Sequence, residues 1–205
     1  MSAVSGDPGE PHLLPLPDQL RRLDPPVPAE VLALVDAEQA RWRQLHDRLV
    51  ALIAALLDVA VDGGRPVAEV IDALIAGTTV PLDTLVATGL DPADIAGLLR
   101  AHGSTGTVDV DGMRTTFRHE CGTGLRYWRD NPGTPTVAEG EVPGVPGGRP
   151  RYCARCIRTI TGHGPGWTVD PPAGPGDRCT WTVTSPAQRP ARSLTTGASE
   201  SASES

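Results

Sequence analysis

The chain has no lysine: all 18 of its basic side chains are arginines, within 205 residues. GC-biased codon usage accounts for that absence, which therefore carries no functional weight by itself. Aromatic residues make up only 3%, as four Trp, two Tyr and one Phe, which excludes a large aromatic-filled core. No run approaches the ~20 uninterrupted apolar residues that span a bilayer, so no membrane partner is expected. Met1–Pro11 carries Asp7 and Glu10 and lacks a basic start before an apolar stretch. A secretory signal is therefore not expected, and a cytoplasmic location is. There is no glycine-rich phosphate loop, because the glycines of 140–148 alternate with prolines and open no helix. No internal repeat is visible.

What is abundant is glycine (23) and proline (21), beside 39% hydrophobic residues. That mixture fits one or two modest domains joined by long irregular segments. The net charge of −7 conceals an asymmetry. Residues 1–113 carry 17 acidic and 7 arginine side chains, a net −10, while residues 114–192 carry 6 and 11, a net +5. Two units with different partners are one reading; two soluble units of different composition are the other.

The pattern predicts an α+β protein in four parts. Residues 1–27, with six prolines, read as a disordered or loosely docked arm. Residues 28–104 form a helical domain dominated by a helix from Ala29 to Ala60, opened after Pro28 and stopped at Gly63-Gly64. Its apolar residues keep a seven-residue repeat. Val35, Trp42, Leu49 and Leu56 make one row; Val31, Leu45, Leu52 and Val59 make the other, with Glu38 as the polar intruder. Such a seam needs a partner helix, so the chain is expected to self-associate through Ala29 to Ala60. Val50, Ile53 and Leu57 widen the face near its end, where a second neighbour is expected. Shorter helices follow at Pro66–Ala76, Pro81–Thr88 and from the Asp91 cap to His102.

From 105 to 184 the period turns to alternation, predicting a small antiparallel β module. Val108 and Val110 lead to a hairpin at Asp111-Gly112, then Met113, Thr115 and Phe117 continue it. Further strands are predicted at Leu125–Trp128, Ile157–Ile160, Trp167–Val169 and Thr180–Thr184. Two Pro/Gly-rich loops lie between them, Asn131–Pro150 and Gly162–Gly176, long enough to mean function or disorder. Residues 185–205 are low-complexity Ser, Thr, Ala and Glu and read as a disordered tail.

All four cysteines fall in this module: Cys121, Cys153, Cys156 and Cys179. Cys153-Ala-Arg-Cys156 has the C-x-x-C spacing that lets two thiolates bind one ion. Zinc takes four soft ligands at tetrahedral corners, and Cys121 and Cys179 would complete the set. On an extended strand His119 lies on the same side as Cys121, so it could replace either outlying cysteine. A module with few aromatics and two long loops is short of core, and a zinc clip would stabilise it. Free reduced thiols and disulfides remain the alternatives. Losing one ligand is expected to unfold the β half and leave the helices.

Enzymatic readings fail residue by residue. In His119-Glu120-Cys121 the glutamate is misplaced for a zinc deaminase, and Tyr152 stands where that signature has proline. The C-x-x-C pair also lacks a βαβ setting for redox exchange, and His163 has no nucleophile placed beside it by local sequence.

Residues Pro81 to Ala101, with Gly89-Leu90 as the turn and Ile95 and Leu98 packing the second helix, resemble the helix-turn-helix of bacterial DNA-binding regulators. The resemblance implies a recognition helix, but Asp91 and Asp94 at its leading end would face phosphates with only Arg100 to offset them. An ordinary helical hairpin fits better. The β half is the better nucleic-acid candidate. Arg126, Arg129, Arg151, Arg155 and Arg158 interleave with Tyr127, Trp128 and Tyr152, so cations and stacking rings alternate. An acidic protein, or the acidic N-terminal half of this chain, would satisfy the same arginines. The expected function is a non-catalytic zinc-binding adaptor or regulator that self-associates and binds nucleic acid or protein. The alternative is a structural assembly protein, phage-like or particle-associated, that oligomerises through its helices.

Overall fold

The structure is a computed structural model that describes residues 12–78, 92–162 and 166–184. The described strands are β1 (His12–Leu13), β2 (Thr105–Asp111), β3 (Arg114–Glu120), β4 (Trp167–Asp170) and β5 (Cys179–Thr184). The described helices are α1 (Leu16–Leu20), α2 (Ala29–Asp62), α3 (Val67–Thr78), α4 (Pro92–Ala101), α5 (Gly124–Asp130) and α6 (Arg151–Thr161). The strands form one antiparallel sheet in the order β1-β2-β3-β5-β4.

The hairpin of β2 and β3 forms where the alternation predicts it, with Asp111 opposite Arg114. Gly112 takes the first turn position at φ +57°, a conformation that suits glycine and matches the twist of the flanking strands. Phe117 is fully buried at the middle of the sheet, between Val108 on β2 and Trp181 on β5. Leu13, Ile95, Leu99, Ile160, Trp167 and Val183 close the same cluster. The N-terminal arm is therefore docked from His12 onward, because Leu13 pairs with Gly106 and is completely buried.

Two segments expected as strands are helices. Leu125–Trp128 lies within α5, and Ile157–Ile160 lies within α6. In α6 the inward residues are Tyr152, Cys153, Ile157 and Ile160, a spacing that puts them on one side of a helix. Pro150 precedes the first turn and Gly162 ends the last. The β-branched residues Ile157, Thr159, Ile160 and Thr161 favour a strand locally, but burial on a helical period outweighs that preference.

This helix ties the molecule together. Its Ala154 and Ile157 pack with Leu57 of α2, with Val67, Val70 and Ile71 of α3, and with Val137, Val142 and Val145 from the 131–150 loop. Tyr152 packs on Val50 and Ala54 of α2, while Ile160 belongs to the sheet cluster. The apolar clusters thus run across residue 104. The long proline- and glycine-rich loop is a packed element, fastened by Glu139 and Glu141, whose carboxylates accept from the Gly147 and Ala138 amides at 2.8 and 2.7 Å.

Helix α2 is 34 residues long, about 51 Å at 1.5 Å per residue. The face it turns inward carries Val50, Ala54 and Leu57, with Ile53 half-buried. The heptad rows point elsewhere: Trp42, Leu45, Leu49, Leu52, Leu56 and Val59 are between 39% and 71% exposed. In α4 it is Ile95, Ala96 and Leu99 that face the sheet cluster. The expected helix at Pro81–Thr88 and the turn of the helix-turn-helix resemblance lie outside the described residues, as do the arm before His12 and the tail from Ser185.

Where α2 meets the end of α4, His46 Nε2 lies 2.9 Å from His102 Nδ1, and the Trp42 ring stacks on His46 at 4.7 Å. One imidazole donates and the other accepts, so the pair is formed by neutral rings. Burial, and then the neighbouring His46, pull His102 down to about 4. His46 is lowered by burial against the opposing pull of Asp47. Both groups charge more readily in the unfolded chain, so their contribution is intact above pH 6.5 and is lost as pH falls towards 4. Between pH 7 and pH 5 the His102 contribution falls by about 2 kcal/mol. Thermal melts at the two pH values, compared with His102→Asn, check this: the variant is expected to lose that part of the pH dependence.

Candidate functional site

The four cysteines are delivered by three elements to one place. Cys121 is the first residue beyond β3, Cys153 and Cys156 lie one turn apart at the start of α6, and Cys179 opens β5. All four carry free thiols. Together with Gly124, Leu125, Ile157 and Trp181 they line a cavity of about 30 Å³, with Val169, Pro171 and Pro172 completing its wall. That is room for a water or an ion. A close approach of α5 to α6 shapes the wall, since a methyl group at Gly124 would stand 2.9 Å from the Cys153 sulfur.

The thiols are not equivalent. Burial pushes Cys156 up to about 12, with the neighbouring Cys121 adding to it and Arg155 opposing it. Burial likewise raises Cys153 and Cys179, with the other cysteines contributing to each. Burial raises Cys121 too, but its neighbours outweigh that. The His119 imidazole, the Thr123 hydroxyl 2.9 Å away and the Leu125 amide bring it down to about 6. Thr123 is a partner that spacing alone does not single out.

His119 faces Cys179 across the β3–β5 ladder, is completely buried, and meets Trp181 edge-on at 5.2 Å. It does not line the cysteine cavity. Neither ring nitrogen has a hydrogen-bond partner of acceptable geometry. Among the described residues, no three Cys, His, Asp or Glu side chains are arranged as they stand to hold a metal ion. The C-x-x-C pair sits in a helix and not in the tight turn of a zinc knuckle.

Four of the five arginines proposed for phosphate contacts pair with carboxylates of this chain. Arg126 reaches Asp47 of α2 at 3.0 Å, Arg151 reaches Asp58 and Asp62 of α2 at 3.0 and 3.2 Å, and Arg158 reaches Asp72 of α3 at 2.9 Å. Arg129 pairs with Glu120 at 2.6 Å. Arg155 lies on α6 between Cys153 and Cys156. The acidic helical half thus satisfies three of the five, and these pairs brace α2 and α3 against α5 and α6. The Arg151–Asp58 pair is the least exposed of them, at 15% and 23%. Comparison with protein-family models, with curated proteins and with solved structures finds no match. Among the described residues no helix is long and apolar enough to cross a membrane.

Proposed function

We propose that this protein is a non-catalytic adaptor or regulator that self-associates through α2, holds one zinc ion among Cys121, Cys153, Cys156 and Cys179, and binds a protein partner through its β half. The observation that carries the reading is the gathering of all four cysteines around one small cavity. Thiolates suit zinc, and four of them complete a closed, structural set with no position left for substrate. Binding would deprotonate Cys153, Cys156 and Cys179, which burial otherwise keeps neutral, and would draw the four sulfurs inward, so metal affinity and folding are coupled. His119 stands behind this set as a neighbour of Cys121.

A nucleic acid would require Arg126, Arg151 and Arg158 to leave the carboxylates they hold, whereas a protein partner makes no such demand. Elemental analysis of reduced, untagged protein tests the zinc, with one equivalent per chain expected; protein free of metal overturns it. The exposed apolar rows of α2 also favour the second reading, a structural assembly protein. A large, salt-insensitive homo-oligomer is the outcome that would select it.

A further inference from the structure

Six apolar side chains on one face of α2, Trp42, Leu45, Leu49, Leu52, Leu56 and Val59, repeat every three or four residues; the last five are half-exposed or more, and Trp42, stacked on His46 at the flank, is 39% exposed. They occupy the side of the helix away from Val50, Ala54 and Leu57, which hold it to the rest of the chain. A contiguous apolar patch of this kind marks an interaction site. Two observations decide what covers it. The repeat has coiled-coil spacing, which suits another helix of the same pattern. The charges along α2 then choose the direction.

If two copies ran parallel and in register, the seam extended towards the N-terminus would set Glu38 against Glu38 of the partner subunit. Two like charges would then meet inside an apolar layer. If they run antiparallel about a two-fold axis between Val50 and Ala51, Leu49 meets Leu52 of the partner subunit and Leu45 meets Leu56 of the partner subunit. Trp42 meets Val59 of the partner subunit, and Glu38 falls beyond the seam. The same register brings Arg41 beside Asp62 of the partner subunit, and by symmetry does so twice. Both groups stay open to solvent: Arg41 is 75% exposed in a surface pair with Glu38, and Asp62 is 70% exposed at the far end of the helix, where it shares Arg151 with Asp58. An exposed pair such as Arg41–Glu38 holds its partner weakly and can be exchanged.

We infer that α2 forms an antiparallel, two-fold symmetric helix pair with a second copy of this chain, centred on Leu49 and Leu52 and flanked by Arg41–Asp62 contacts between subunits. This rests on the self-association reading above and adds its partner, direction and register. Solution mass and one distance test it. A spin label carried by an unnatural amino acid at Ala37, on the full chain, leaves the native cysteines untouched. In the antiparallel pair the two labels sit about 40 Å apart along the axis. In the parallel pair they sit about 10 Å apart. A mass of two chains with the long distance is the expected result. Two chains with the short distance overturn the direction while leaving self-association standing. A single-chain mass at every concentration overturns both, and a mass above two chains overturns the two-helix arrangement. Leu49→Asp is expected to give a folded single chain with an unchanged circular dichroism spectrum, because Leu49 supports no contact within the subunit core. If Leu49→Asp retains the parent's mass, the seam is elsewhere.

Discussion

Cys153→Ser is expected to abolish zinc binding and to melt the helices together with the sheet. Cys153 is buried on α6, and that helix belongs to every apolar cluster described above: Tyr152 on α2, Ala154 and Ile157 with α3, Ile160 under the sheet. Structural zinc in small domains supplies about 10–16 kcal/mol of apparent binding free energy, which becomes folding free energy when the site exists only in the native state. Removing one of the four proposed ligands would forfeit much of that and leave three thiols around a gap. Read from sequence, the damage stops at the β half; the shared helix carries it into α2 and α3. Far-UV circular dichroism and zinc content of the reduced variant check the outcome together. A variant that binds no zinc yet keeps the parent's melting temperature would show that the cysteines contribute nothing to the fold.

Ile157→Asp is expected to leave no stably folded protein. Ile157 is 4% exposed, lines the cysteine cavity and packs with the α3 residues on its other side. Its truncation alone belongs to a class that costs about 2–5 kcal/mol. A carboxylate without a partner among Val67, Val70 and Val142 adds several more, so the total approaches the ~5–15 kcal/mol that stabilises a typical domain. Ile157→Val, by contrast, removes one methyl group and should cost about 0.5–1.5 kcal/mol, a drop of only a few degrees in Tm. Chemical denaturation of the valine variant and the soluble yield of the aspartate variant provide the measurements. An aspartate variant that melts within a few degrees of the parent would refute the placement of α6 at the centre of the fold.

Periodicity over many residues was legible, and short apolar runs were not. The 34-residue α2 and the Asp111-Gly112 hairpin repeat their patterns often enough to be read directly. Leu125–Trp128 and Ile157–Ile160 offer four residues each, rich in aromatic and β-branched types, and four residues cannot separate a helical period from an extended one. The decisive information for α6 lies further off, in Pro150 before it, Gly162 after it and the buried side of α3 against it. The heptad rows were also legible, yet the side of α2 that packs inside the subunit is the one marked by Val50 and Leu57. A helix with two apolar faces does not announce which belongs to its own chain. At the candidate site the four cysteines were named from composition and spacing, and the fold brings them around one cavity. The burial of His119 follows the alternation of Thr115 and Phe117 along β3, whereas the place of Thr123 depends on a β3–α5 connection that spacing does not encode.

The ends of the sheet determine how the protein behaves in a crowd of its own copies. An uncovered strand offers a row of amide and carbonyl groups to any other chain, which is a route to aggregation. On one side, among the described residues, β1 covers Gly106 and Thr107, and β2 goes on to the exposed Asp109 and Asp111, whose charges repel a second strand of the same kind. On the other side β4 ends at Asp170 and runs straight into Pro171 and Pro172, which have no amide hydrogen to donate. Charge at one margin and proline at the other disfavour growth by strand addition. The association proposed for the helical face would instead be made by side chains, and such a contact can be reversed.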